Sequence, residues 1–261
     1  MRYAFQVQYI GKNYAGSQIQ LEHGRQIEAP TIQGELEKAL CTLILGKRYY
    51  TETFENNNRP IKAIFSGRTD KGVNSLGQVV HFDTEESIVA SKFLYSINEI
   101  LPDDISVSDL KEVDKSFHAQ KSAKRRYYRF ELINRRCKNA FDGDLMRVKF
   151  PLNIERMQKS LDYLVGEHDF SSFKSSGTLN PSTICIIYEA KVSKAGDRVF
   201  IDIVGNRFLY NMVRTIVGTL LEIEGHNLAP EHMKYVLESK DRTKAGMKVS
   251  PYGLTLMKVM Y

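Results

Sequence analysis

The residues best suited to chemistry stand in Phe65-Ser66-Gly67-Arg68-Thr69-Asp70-Lys71-Gly72-Val73-Asn74-Ser75-Leu76-Gly77-Gln78, a glycine-spaced stretch with a charged centre. Gly67 and Gly72 bracket Arg68-Thr69-Asp70-Lys71, and glycine lets a backbone turn sharply or approach another closely. Such a loop presents Asp70, and a carboxylate held in a dry setting can act as a nucleophile or a general base. The same residues also suit an ordinary turn in which Thr69 and Asp70 bond their own backbone. Burial raises a carboxyl pKa, so an ionised Asp70 calls for a fixed cation nearby. Arg214 is the candidate, set in an apolar helical run with Tyr210 and Gly218 four residues to either side. It reads either as a helix-edge side chain with its head in water or as a buried carboxylate partner.

A third group is basic and aromatic. Lys121, Lys124, Arg125, Arg126, Arg129, Arg135, Arg136 and Lys138 crowd one stretch, with Tyr127, Tyr128 and Phe130 interleaved. That composition suits nucleic acid, and a solvated strand and turn would also account for it. The net charge of +6 points the same way. Metal and disulfide chemistry find no support: Cys41, Cys137 and Cys185 are odd in number and far apart, and the six histidines show no ligand spacing. No metal and no cofactor are expected. No apolar run is long enough to cross a bilayer, and the opening Met-Arg-Tyr-Ala leads into a strand pattern instead of a signal peptide. A soluble cytoplasmic protein without a membrane partner is the expectation.

Around these groups the pattern predicts alternating strands and helices. Tyr3 to Tyr9 reads as a strand and Gly11 and Gly16 as a loop. Ile32, Leu36, Leu40 and Leu43 make one helical stripe capped by Thr31. Phe54 to Pro60 is turn-rich, and Ile61 to Phe65 and Val79 to Phe82 are the strands flanking the loop. A helix over Ser87 to Ile100 is lined by Ile88, Phe93, Ile97 and Ile100, and a strand over Ile105 to Val113 follows. If Lys121 to Ile133 is extended, Arg126, Tyr128, Phe130 and Leu132 share one face. Asn153 caps a helix ending at Gly166, and Glu167 to Ser176 reads as a loop. Ile184 to Val192 and Val199 to Val204 form a hairpin about Ala195-Gly196-Asp197. Leu209 to Leu220 reads as an apolar helix that Gly225 ends, with a second over Glu231 to Leu237 and a final strand over Leu254 to Tyr261. At 261 residues and 42% hydrophobic content, one large or two small domains fit. The natural class is α+β, helices on one side of antiparallel sheet, and no residue-level repeat links the halves.

The loop Gly67-Arg68-Thr69-Asp70-Lys71-Gly72-Val73 resembles the signature G-R-T-D-x-G-V of the bacterial tRNA pseudouridine synthase A family. Four further blocks are similar to family motifs in family order: Tyr9 to Gln18, Gly166 to Phe173, Phe208 to Gly218, and Pro251-Tyr252-Gly253-Leu254. The resemblance covers nearly the whole chain. It implies two similar halves, 1–114 and 115–261, whose antiparallel sheets join into one extended sheet, with the active site in the cleft between them. It also implies isomerisation of uridine to pseudouridine in the tRNA anticodon stem-loop, at positions 38–40, by a homodimer. On the matching positions, Asp70 is the catalytic carboxylate and Arg214 the basic residue beside it. Tyr128 is the ring that stacks on the target base and a candidate to accept or deliver the C5 proton. Leu254 closes the ring pocket, Arg68 suits a phosphate or the space left by a flipped base, and Gln18 and Arg126 are further substrate-binding candidates.

The chain departs from the family pattern at Ser17, where tryptophan is frequent, at Asn74, where histidine is, and at Ser250, where alanine is. These departures bear on substrate detail. Other readings are a catalytically silent RNA-binding protein of the same fold, a synthase acting at another RNA site, and a glycosidase-like hydrolase. The last needs a second carboxylate across the scissile bond, for which Asp83 and Asp169 are the candidates.

Overall fold

The computed structural model of the chain describes residues 1–19, 29–46, 60–176 and 182–261, together with the backbone of 21–22 and 25–26. The turn-rich stretch read from Phe54 onward lies outside the described residues as far as position 59. The chain forms two compact units, Met1–Ala123 with Leu256–Tyr261, and Lys124–Thr255. Both are α+β.

In the first unit, β1 (Arg2–Tyr9) is central. A two-stranded ribbon, β2 (Leu21–Glu22) and β3 (Arg25–Gln26), stands apart from the main sheet. The short β4 (Ile64–Phe65) pairs β5 (Asn74–Asp83), and β5 and β6 (Ile105–Val113) flank β1 antiparallel. Helix α1 (Ile32–Ile44) begins at Thr31, whose hydroxyl accepts the Gly34 N–H at 3.1 Å. Its stripe Ile32, Leu36 and Leu40 joins Phe5, Val7, Phe65 and Phe82 in the core. Helix α2 (Ala90–Ile100) buries Phe93 and Ile97. Ile100, expected on the same stripe, is 41% exposed at the helix end, where Pro102 forbids continuation.

The strand expected over Ile61–Phe65 shrinks to its last two residues. The reason is a pair of buried polar side chains on α1. Glu37 Oε1 accepts the Ala63 N–H at 3.0 Å, and Gln33 Nε2 donates to the Ala63 carbonyl at 3.1 Å. With both backbone groups of Ala63 satisfied by a helix, the segment has no need of a ladder there.

In the second unit, β7 (Arg125–Asn134) is joined in parallel by the short β8 (Met146–Val148). β9 (Gly166–Asp169), β10 (Ile184–Ala195) and β11 (Arg198–Gly205) complete the sheet in the order β7-β11-β10-β9. The hairpin of β10 and β11 turns on Gly196 at φ +59°, the left-handed backbone a two-residue hairpin requires. Along most of β7 and β11 the strands alternate: Tyr128, Phe130, Leu132, Val199, Ile201 and Ile203 are buried, while Tyr127, Arg129, Phe200 and Asp202 lie on the half-open face.

Helix α3 (Ile154–Asp162) packs on β10, with Asn153 accepting the Arg156 N–H at its start. Helices α4 (Met212–Gly225) and α5 (Glu231–Ser239) complete the layer. Arg156 donates to the buried Glu224 on α4 at 2.6 and 3.0 Å, a charge pair that holds two helices together. The expected loop from Glu167 is partly an edge strand, because β9 takes up the free side of β10 at Ile184–Ile187. Residues 254–260 form β12 (Leu254–Met260), of which 256–260 lie beside β5 in the first unit.

Candidate active site

The Asp70 loop is held by backbone bonds together with buried polar side chains. Ser66 donates its N–H to Val79 O at 2.8 Å, and Gln78 Nε2 donates to Gly67 O at 2.9 Å while its Oε1 accepts from the Ser66 hydroxyl. Past Asp70 the chain turns back through Gly72 at φ +81°, and Val73 N–H reaches Asp70 O at 3.1 Å. A side chain at 72 would be strained in that conformation.

The segment Tyr9 to Ser17 braces the other side of the loop. Ser17 is fully buried; it donates its own N–H to Thr69 O at 3.0 Å, and its hydroxyl accepts the Thr69 N–H at 2.8 Å. Tyr9 adds a hydroxyl contact to Thr69 Oγ1 at 2.8 Å, and burial pushes that phenol up to about 12, so it stays neutral. Gly16 forms a bridge with Asp70. At Gly11 a Cβ would stand 2.1 Å from Val73 O, so only glycine allows this approach, and its N–H donates to Asn74 Oδ1 at 2.8 Å. Thr69 is thereby fixed on three sides and Asp70, half-buried, follows it. Ser17 and Asn74, read from the sequence as affecting substrate detail, hold the loop's backbone in place. Their polarity was the available signal; their partners were not visible in it. Arg68 is exposed and its Nε donates to Gln18 Oε1, so these two substrate candidates meet.

The remaining candidates lie in the second unit. Tyr128, 9% exposed on β7 opposite Ile203, meets the Phe208 ring edge-on at 5.1 Å between centroids. Arg126 sits opposite Gly205, and its Nη1 donates to Asn206 O at 2.6 Å. Leu254 is buried directly after a turn at Pro251–Gly253, which lies so close to β7 that a Cβ on Gly253 would be 2.2 Å from Glu131 O.

Arg214 is on the first turn of α4 and half-buried. Its Nε donates to Val249 O at 2.9 Å and its Nη1 to Asn211 Oδ1 at 2.8 Å. The segment supplying Val249 lies directly on α4: a Cβ on Gly218 would be 1.8 Å from Met247 O, and Gly246 N–H donates to Thr219 Oγ1 at 2.9 Å. Gly218, four residues past Arg214, is where that backbone enters.

Of the carboxylates considered as a second acid, Asp83 takes a two-pronged bond from Arg2 at 2.8 Å for each oxygen, and Asp169 Oδ1 accepts the Ser171 N–H at 3.0 Å. Among the described residues no group of three His, Cys, Asp or Glu side chains is placed to hold a metal ion.

A family model described as tRNA pseudouridine synthase matches residues 161–261. Over 260 residues the chain is 41% identical to the tRNA pseudouridine synthase A of Thermoanaerobacter sp. (strain X514), spanning 98% of this chain and 97% of that protein. It is 38% identical over 256 residues to the protein of the same name from Exiguobacterium sp. (strain ATCC BAA-1283 / AT1b), spanning 98% and 96%. The chain belongs to the tRNA pseudouridine synthase A family. Among solved structures, a chain of a Cbf5-Nop10-Gar1 complex overlaps 85% of this chain and 54% of its own at a TM-score of 0.35 and 10% identity, a likeness too loose to carry weight.

Proposed function

We propose that this protein isomerises uridine to pseudouridine in tRNA, at positions 38–40 of the anticodon arm, acting as a cytoplasmic homodimer. The near full-length likeness to enzymes named tRNA pseudouridine synthase A carries the isomerisation of uridine in tRNA. In the reaction the bond from C1′ to N1 breaks, the base turns, and C1′ joins C5. C5 gives up its proton and N1 takes one, so the balance calls for no oxidant. Asp70 starts the sequence by attack at C1′, addition at C6 or removal of the C2′ proton, all within reach of a positioned carboxylate. Arg214 keeps that carboxylate ionised, Tyr128 stacks on the base, and Leu254 closes the ring pocket. Arg68, Gln18 and Arg126 contact the RNA. The three-sided hold on Thr69 supports the role of Asp70, since a group that must meet one atom needs a fixed backbone behind it.

The test is unmodified tRNA transcript incubated with wild type and with Asp70→Asn. Wild type should form pseudouridine at 38–40, and the variant should bind the transcript and form none, because the amide keeps the shape and loses charge and basicity. Binding without pseudouridine in wild type would mean a silent RNA-binding protein, and free uracil would mean a hydrolase. Pseudouridine mapped elsewhere would refute the position while leaving the chemistry.

A further inference from the structure

Asn211 stands immediately before α4, where an asparagine normally turns its side-chain oxygen onto the free N–H groups of the first helical turn. It does not do so here: no side-chain cap bond is made, and its backbone is left-handed at φ +61°. The oxygen instead accepts from Arg214 Nη1 at 2.8 Å. The amide's other end is also committed, because Nδ2 donates to Ser175 Oγ at 3.0 Å and Ser175 in turn donates its N–H to Tyr210 O at 3.0 Å. Asn211 is almost fully buried. A buried residue that gives up its ordinary local role and adopts a costly backbone marks a place where function overrides local preference.

We propose that Asn211 is a positioning residue for the proposed reaction. Together with the Val249 carbonyl it fixes the plane of the Arg214 guanidinium, and Ser175 anchors the far end of the amide. Two of the three guanidinium nitrogens are tied to this scaffold, Nε to Val249 and Nη1 to Asn211. A planar fork held at two points is more narrowly oriented than one with either of those points removed. The guanidinium can only donate, so Oδ1 faces Arg214 and Nδ2 is left to donate to Ser175 Oγ. The proposal rests on Arg214 being the cation that serves Asp70.

The experiment uses the full chain, unmodified tRNA transcript and three variants. Asn211→Gly removes the amide while keeping a residue at ease in the left-handed backbone. Ser175→Ala removes the anchor of the amide, and Arg214→Ala is the reference. Single-turnover pseudouridine formation at saturating tRNA, transcript affinity, thermal midpoint and the pH-rate profile are measured for each. A hydrogen bond to a charged group predicts a roughly ten- to hundredfold fall in the saturating rate for Asn211→Gly. Affinity should stay within about twofold, and the acid limb of the profile should move in the direction seen with Arg214→Ala. Ser175→Ala should show a smaller loss of the same kind. A wild-type rate in Asn211→Gly beside a dead Arg214→Ala overturns the proposal alone, and so does a fall in thermal midpoint with no change in rate or profile. An Arg214→Ala that works normally overturns both this proposal and the role of Arg214. Should Asn211→Gly fail to fold, an unchanged rate in Ser175→Ala overturns it.

Discussion

Ser17 illustrates how much one hydroxyl controls. Its oxygen is the acceptor for the buried Thr69 N–H, one residue before Asp70. Ser17→Ala leaves that N–H without its acceptor, and an unmade buried bond costs about 1–3 kcal/mol. Part of that should appear as lost stability and part as loosening of the loop. The expected outcome is a several-fold lower saturating rate together with a lower denaturation midpoint, while Ser17→Thr, which keeps the oxygen, retains more of the rate than alanine does. Equal rates for alanine, threonine and wild type would show that the two other bonds to Thr69, from Ser17 N–H and Tyr9, suffice to position Asp70.

At the scale of elements, two contacts decide how the secondary structure is held. Gly218→Ala sets an ordinary gain in helix propensity, about 1 kcal/mol, against a Cβ placed 1.8 Å from the Met247 carbonyl oxygen. That partner is backbone and has no rotamer to yield, so overpacking at roughly 1–3 kcal/mol should win. The variant is expected to unfold at lower denaturant and to shift Val249 away from Arg214. A midpoint at or above wild type would mean that the segment 246–249 moves aside freely. The second contact is His81 on β5, whose Nδ1 accepts the Ala119 N–H at 3.1 Å. Burial first, with Arg2 and the neighbouring His118 ring adding to it and Asp83 opposing, pushes this imidazole down to about 4. A group whose folded pKa lies below its unfolded value of about 6.5 binds its proton sooner in the unfolded chain. Stability is therefore full above about 6.5 and declines as pH falls toward 4. Asp83, held low chiefly by Arg2, acts in a separate window, below the ordinary aspartate range. His81→Asn keeps an acceptor for Ala119 without the proton, so urea midpoints measured from pH 7 to pH 4 should fall less steeply than in wild type. Parallel slopes would clear His81 of this role.

For the molecule as a whole, the basic stretch matters through its effect on RNA binding. Its arginines are not equivalent. Arg129 is locked to Asp202 by bonds of 2.7 and 2.9 Å, and its charge is already answered within the sheet. Arg126 donates to Asn206 O. Arg125 is exposed, with its guanidinium 4.3 Å from the centre of the Tyr188 ring, a flat cationic surface facing solvent. A cation that no longer reaches its phosphate releases no counterion there, which lowers the logarithmic salt slope of tRNA binding by about one. Arg125→Ala should show that reduction, whereas Arg129→Ala should leave the slope and lower stability, since Asp202 loses its cation while the Tyr127 hydroxyl still donates to it. An unchanged slope in Arg125→Ala would place the RNA elsewhere.

What the sequence determined by itself is what short-range physics encodes. The caps at Thr31 and Asn153, the hairpin turning on Gly196, the glycine behind Asp70 and the alternation that buries Tyr128 each depend on neighbours a few residues away. All of these were legible. The family motif likewise drew attention to Asp70 and Arg214. Tertiary structure decided which distant groups complete each local arrangement. Ser17 and Tyr9 lie 52 and 60 positions from Thr69 and hold it; Ala63 leaves its expected ladder for Glu37 and Gln33; Asn211 abandons a cap for Arg214. A buried polar group must find a partner, yet nothing in its own stretch of chain says whether that partner is the next turn or an element far along the sequence. Only the packed fold, by bringing one acceptor within bonding distance and excluding water from the rest, makes that choice.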